Sequence, residues 1–160
     1  PRRIHKTSKL VSIAERFDLS VVTRSSGAPC RDKAVYVLDT LGELSRFYAL
    51  ADVAFIGGSL VPFGGHNPLE AVAQGKPCVW GPHLFNFREI ESMLLERRAA
   101  KRAASEEQLS AVIAGWLESS KDREEAALGM KGLVESNSGC SEKILSFIGA
   151  NKTCLLGRAD

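Results

Sequence analysis

The residues best suited to chemistry lie close together, in Gly57-Gly58-Ser59-Leu60-Val61-Pro62-Phe63-Gly64-Gly65-His66-Asn67-Pro68-Leu69-Glu70. Gly64 and Gly65 can adopt positive φ and carry no side chain, so an anion can approach their backbone closely. A helix opening after this loop would aim its first N–H groups, and the dipole behind them, at a phosphate. Asn67 suits the cap of that helix, and Pro68 its first position, where a missing N–H is tolerated. His66 is either a polar loop residue or a donor to phosphate or sugar. Glu70 has two readings, the capping-box partner of Asn67 or a carboxylate for the vicinal hydroxyls of a ribose. One carboxylate cannot easily serve both.

A second loop, Gly81-Pro82-His83-Leu84-Phe85-Asn86-Phe87, offers His83 and Asn86. Asn86 either caps the next helix or reaches a ligand. Ser25, Ser26 and Gly27 read as a plain turn or as a further ligand contact. Arg2 and Arg3 are either a solvated terminus or an attraction for carboxylate or phosphate. Arg97, Arg98, Lys101 and Arg102 read as a wet surface, or beside anionic lipid as a steering patch. The chain has no GxGxxG, no Walker-type GxxxxGK[ST], no GxSxG elbow and no metal-ligand spacing. A P-loop NTPase is thereby disfavoured, and no metal or cofactor is expected.

The elements that must hold these loops alternate helix and strand. Leu10, Ile13, Ala14 and Phe17 form an amphipathic stripe, and Leu19 to Thr23 and Ala34 to Leu38 read as strands. Thr40-Leu41-Gly42-Glu43 has capping-box spacing and predicts a helix through Ala51. Asp52 to Ile56 and Lys76 to Trp80 are apolar strands of the kind buried in parallel sheets. Asn86-Phe87-Arg88-Glu89 starts a helix to about Arg98, and Ala99 to Ala104 is an edge strand. Ser105 caps a helix whose apolar face is Leu109, Val112, Ile113, Trp116 and Leu117. Two further helical stretches reach about Ile148, and a frayed tail follows. Strands alternating with helices across short loops imply right-handed βαβ units and an α/β, Rossmann-like parallel sheet flanked by helices. In such sheets ligands sit beyond the carboxyl ends of the strands, which sets the two loops side by side at one sheet edge.

The 160 residues suit a single domain with a real core, and 44% hydrophobic against 25% charged residues is ordinary for a globular protein. A net charge of +2, from 21 basic and 19 acidic residues, is too balanced to argue for nucleic acid. Cys30, Cys78, Cys140 and Cys154 lack CxxC spacing and suit a reducing compartment. Pro1-Arg2-Arg3 leads into a polar segment with no signal-peptide core, and without an initiator methionine the chain reads as a piece of a longer protein. Its longest apolar run, Val53 to Val61, is too short to span a bilayer.

Residues 57 to 87, GGSLVPFGGHNPLEAVAQGKPCVWGPHLFNF, closely resemble the signature block of the 3-deoxy-D-manno-octulosonic acid (Kdo) transferase family. TRSSG at 23 to 27 and DTLGELSRFYALADVAFIGGS at 39 to 59 resemble the segments that precede that block. The resemblance runs from the first residues to about Ile148 and is strongest from Asp39 to Phe87. It implies the C-terminal half of a GT-B glycosyltransferase, with residues 1–149 as the CMP-Kdo-binding domain and 150–160 as a tail. It implies inverting, metal-independent transfer of Kdo to the lipid A precursor in lipopolysaccharide synthesis. The general base and the membrane-facing surface would belong to an N-terminal acceptor domain absent from this chain, placing the whole enzyme at the cytoplasmic face of the inner membrane. The chain alone is expected to be soluble and inactive. The resemblance further implies a donor site of Arg2, Ser59, Gly64, Gly65, His66, Asn67, Glu70, His83 and Asn86, and favours the ribose reading of Glu70. Where the family usually reads Pro-Arg-His-Pro, this chain has Pro1-Arg2-Arg3-Ile4, keeping the arginine. Two rival readings are a GT-B enzyme using a UDP-sugar, or a non-catalytic Rossmann-like binding module.

Overall fold

A computed structural model describes residues 6–30, 35–137 and 144–147 of the chain. Arg2, Arg3, Ile4 and the tail from 150 lie outside the described residues. The chain divides into two compact units, Pro1–Phe47 and Tyr48–Asp160.

In the first unit, α1 (Thr7–Glu15) precedes two short parallel strands, β1 (Val21–Thr23) and β2 (Val35–Val37), with Val21 beside Val35 and Thr23 beside Val37. The apolar stripe of α1 is only partly used. Ala14 is buried, Leu10 and Ile13 are exposed, and Phe17 falls past the end of the helix with 72% of its surface open. Arg24–Ser26 forms a 3-10 turn closed by Gly27 at φ 67°. The hydroxyls here are internally engaged: Ser25 donates to the Asp39 carboxylate at 2.6 Å and Ser26 to the Thr23 carbonyl at 2.7 Å. This is the plain-turn reading.

The helix expected from Thr40 to Ala51 is shorter, α2 covering Leu44–Tyr48. The Thr40 hydroxyl bonds the Glu43 carboxylate, which also takes Arg24 at 3.0 Å. Gly42 stands at φ 81°, outside helical geometry. A distant arginine has converted the capping signal into a loop clasp.

The second unit contains β3 (Ala54–Phe55), α3 (Leu69–Val72), β4 (Cys78–Trp80), α4 (Arg88–Glu96), β5 (Ala100–Arg102), α5 (Glu106–Glu118) and α6 (Ser120–Asn137). The strands pair in the order β3-β4-β5, all parallel, aligning Ala54, Cys78 and Ala100. Alternation along the strands feeds two apolar layers. Ala54, Ile56, Cys78, Trp80 and Ala100 pack with α3, α4 and α6 through Ala71, Val72, Leu94, Ala126, Met130 and Leu133. Val79 and Ala103 pack with Trp116 of α5 on the other side, flanked by Leu109, Val112 and Ile113. Leu117, expected on this face, is instead 55% exposed. A parallel sheet with helices on both faces is the α/β arrangement read from the sequence.

Local signals hold where packing agrees with them. Ser105 caps α5 by accepting from the Gln108 amide at 3.3 Å, and the Gln108 side chain accepts from the Ala104 amide at 2.8 Å. The other end of α5 is closed by Arg123, which donates to the Trp116 and Leu117 carbonyls and lies 3.9 Å from Asp52. Residues 144–147 are helical.

Candidate functional site

Because β3 and β4 are parallel neighbours, the segments after them emerge at one edge of the sheet. The first segment folds back on itself: the Gly65 amide donates to the Gly58 carbonyl at 2.9 Å and the His66 amide to the Gly57 carbonyl at 3.0 Å. Gly58, Gly64 and Gly65 stand at φ 71°, 95° and 76°, where other residues are strained. This corrects one sequence expectation. The amides of Gly65 and His66 are spent on closing the loop, so they are not open donors for an anion.

The His66 ring lies over the first two glycines. A methyl group on Gly58 would sit 3.6 Å from its Nε2, and Phe63 meets the ring edge-on with centroids 6.1 Å apart.

Ser59 has no exposed surface. Its hydroxyl donates to the Ile56 carbonyl at 2.5 Å and accepts from the Gly81 amide at 2.9 Å. Its carbonyl accepts from the His83 amide, also at 2.9 Å. Ser59 therefore does not line the site. A methyl group on Gly81 would fall 2.5 Å from the Ser59 carbonyl oxygen, so the two backbones touch where only glycine fits. In the sequence Gly81 only opens the second loop, and its Gly-Pro signal carries no hint of this close approach.

Further along, the Asn86 amide donates to the Gly64 carbonyl at 3.2 Å, and the Asn86 side chain lies against the Cα of Gly64. Asn86 caps no helix: the 3-10 turn Phe85–Phe87 and α4 both begin without a side-chain cap. Gly65 rests on Leu84, a buried residue whose Cδ1 occupies the space a methyl group would need. The two loops thus form one clasp.

Asn67 stands one residue further out than expected: Pro68 occupies the cap position of α3, which has no side-chain cap, and the Asn67 Oδ1 accepts from the Leu69 amide at 3.0 Å. The helix it opens is a single turn, α3, so its dipole is small. Glu70 is exposed and makes no hydrogen bond or ion pair among the described residues, so the reciprocal capping-box bond is not formed. Half-buried Tyr48 packs on the core cluster that holds Cys78. Its phenol is pushed up by burial first, then by the Glu70 carboxylate and Cys78. The clasp brings together Ser59, Gly64, Gly65 and His66 from one loop and His83 and Asn86 from the other, while Asn67 and Glu70 open α3. Among the described residues no three His, Cys, Asp or Glu side chains gather as a metal site, and no helix is long and apolar enough to cross a membrane.

No protein-family model matches the chain. It is 31% identical over 150 residues to the 3-deoxy-D-manno-octulosonic acid transferase of Haemophilus influenzae, covering 92% of this chain and 35% of the relative. The enzyme of the same name from Bordetella pertussis is 39% identical over 105 residues, 64% of this chain and 24% of the relative. The chain therefore spans about a third or less of these curated relatives. The crystal structure of the C-terminal CMP-Kdo binding domain of WaaA from Acinetobacter baumannii superposes with a TM-score of 0.79 at 31% identity, over 84% of this chain and 70% of that one. On likeness of both sequence and fold across most of a solved domain, the chain belongs to the 3-deoxy-D-manno-octulosonic acid transferase family.

Proposed function

We propose that this chain is the donor-binding half of a Kdo transferase, holding the nucleotide of CMP-Kdo at the clasp of the two loops. The observation that carries the reading is that clasp: two glycine-bearing loops locked together at the edge of adjacent parallel strands, with the Glu70 carboxylate exposed beside them. Such an edge is where α/β sheets bind ligands. Glu70 then takes the ribose hydroxyls, and His66, Asn67, His83 and Asn86 surround the phosphate.

The departing CMP is a phosphate monoester, so the reaction needs positive charge or donors at that phosphate. With the Gly65 and His66 amides spent inside the loop, this role passes to side chains: the Asn86 side-chain amide and the two imidazoles. Gly64 and Gly65 act by letting Asn86 and Leu84 of the second loop close onto them. The acceptor, a lipid A precursor, and the general base that makes transfer inverting belong to the rest of the longer protein, at the cytoplasmic face of the inner membrane. No metal is required for this chemistry.

The test is an NMR titration of the 160-residue chain with CMP, with UMP as control. CMP should shift the amides of Gly64–Glu70 and His83–Asn86, and UMP should shift them less. Shifts confined to other regions, or none, would refute the assignment.

A further inference from the structure

We propose that Ser59 is a positioning residue of this site, whose hydroxyl fixes the register of the second loop against the first. The inference rests on the reading that the clasp binds the donor nucleotide. Three links join the loops: the Gly81 amide to the Ser59 hydroxyl at 2.9 Å, the His83 amide to the Ser59 carbonyl at 2.9 Å, and the Asn86 amide to the Gly64 carbonyl at 3.2 Å. Only the first uses a side chain, and that side chain is anchored in turn on the Ile56 carbonyl at the end of the β3 run.

The geometry makes the hydroxyl hard to replace. Ser59 is fully enclosed, so water cannot substitute for a lost partner without opening the contact. Removing the hydroxyl leaves two buried backbone groups, the Gly81 N–H and one lone pair of the Ile56 carbonyl, short of a partner. Gly81 already approaches the Ser59 backbone as closely as a residue can. The second loop relaxes in the one direction left, away from Ser59. His83 and Asn86 then move off the glycine loop, although neither touches the Ser59 hydroxyl.

Ser59→Ala tests this, with Met130→Ala as a control for general loss of stability, since Met130 is a buried α6 residue that takes no part in the three links. In amide exchange of the ligand-free chain, Ser59→Ala should deprotect His83 and Asn86 while sparing Ile56 and Ala103, whose bonds lie in the sheet. Met130→Ala should not single out His83 and Asn86. In CMP titration, Ser59→Ala should weaken binding about tenfold or more, since small displacements of site groups are costly. Met130→Ala should bind normally below its melting point. If Ser59→Ala does not fold, Ser59→Cys, which keeps a weaker donor and acceptor, should show an intermediate effect on the same amides. Unchanged protection of His83 and Asn86 would overturn the proposal whatever CMP does. A parent chain that does not bind CMP would sink the functional reading instead, leaving the exchange experiment to decide the role of Ser59.

Discussion

Gly64 and Asn86 share a space that holds only one side chain: a methyl group on Gly64 would sit 2.2 Å from the Asn86 Nδ2. The glycine also stands at φ 95°. Gly64→Ala should therefore cost about 1–3 kcal/mol through backbone strain and the displaced amide. Adding Asn86→Ala should recover the steric part and leave the strain, giving a non-additive cycle. Urea unfolding of the three variants measures this, and strict additivity would show that the two residues do not compete.

Glu70 separates structure from binding. Its carboxylate is exposed, so Glu70→Gln should change stability by less than about 0.5 kcal/mol. CMP affinity should nevertheless fall, since the ribose loses its charged acceptor. Asn67→Ala removes the side-chain acceptor of the Leu69 amide and should cost about 1 kcal/mol. Equal destabilisation by the two variants would return Glu70 to a capping role.

The first unit should be acid-sensitive. Hydrogen bonds from Arg24, then from Thr40, hold the Glu43 carboxyl below its ordinary value, and the Ser25 hydroxyl and amide do the same for Asp39. A lowered folded value means stabilisation present above the unfolded pKa and lost as pH falls through the folded one. The gap between the parent chain and an Asp39→Asn, Glu43→Gln variant should be open at neutral pH and close in acid. Both groups are solvent-accessible, so salt should narrow it too. Urea unfolding followed at Val22 and Tyr36 reads it. A gap that widens in acid would reverse the sign of the linkage.

Burial pushes the Cys78 thiol up to about 12. Packed in the core layer, it has neither access nor thiolate at pH 8. Iodoacetamide should leave it unmodified in the native chain and label it in guanidinium, as peptide mass spectrometry would detect. Rapid native labelling would mean that β4 opens.

Much of the second unit was legible because its signals are local. Pro68 after Asn67, Ser105 before an apolar stripe, and the β-rich runs at 52–56 and 76–80 each act within one turn or strand, where spacing dictates geometry. Reading failed where a partner lay far along the chain. Thr40 and Glu43 had capping-box spacing, but Arg24, nineteen residues away, captured the carboxylate. The resemblance put Ser59 in the donor site, yet Gly81, twenty-two residues on, claims its hydroxyl. Leu117 and Phe17 fitted helical stripes that the surrounding packing does not cover.

The sequence by itself determined the order of the elements, the parallel α/β layering of the second unit and the stretch of chain where the site forms. These follow from apolar periodicity and from glycine, proline and cap residues acting on their neighbours. Which groups in that stretch remain available to a ligand was decided only in three dimensions. Backbone donors and buried hydroxyls must be satisfied by whatever the fold brings near, and here the loop spends the Gly65 and His66 amides and the Ser59 hydroxyl on itself, while leaving Glu70 to solvent.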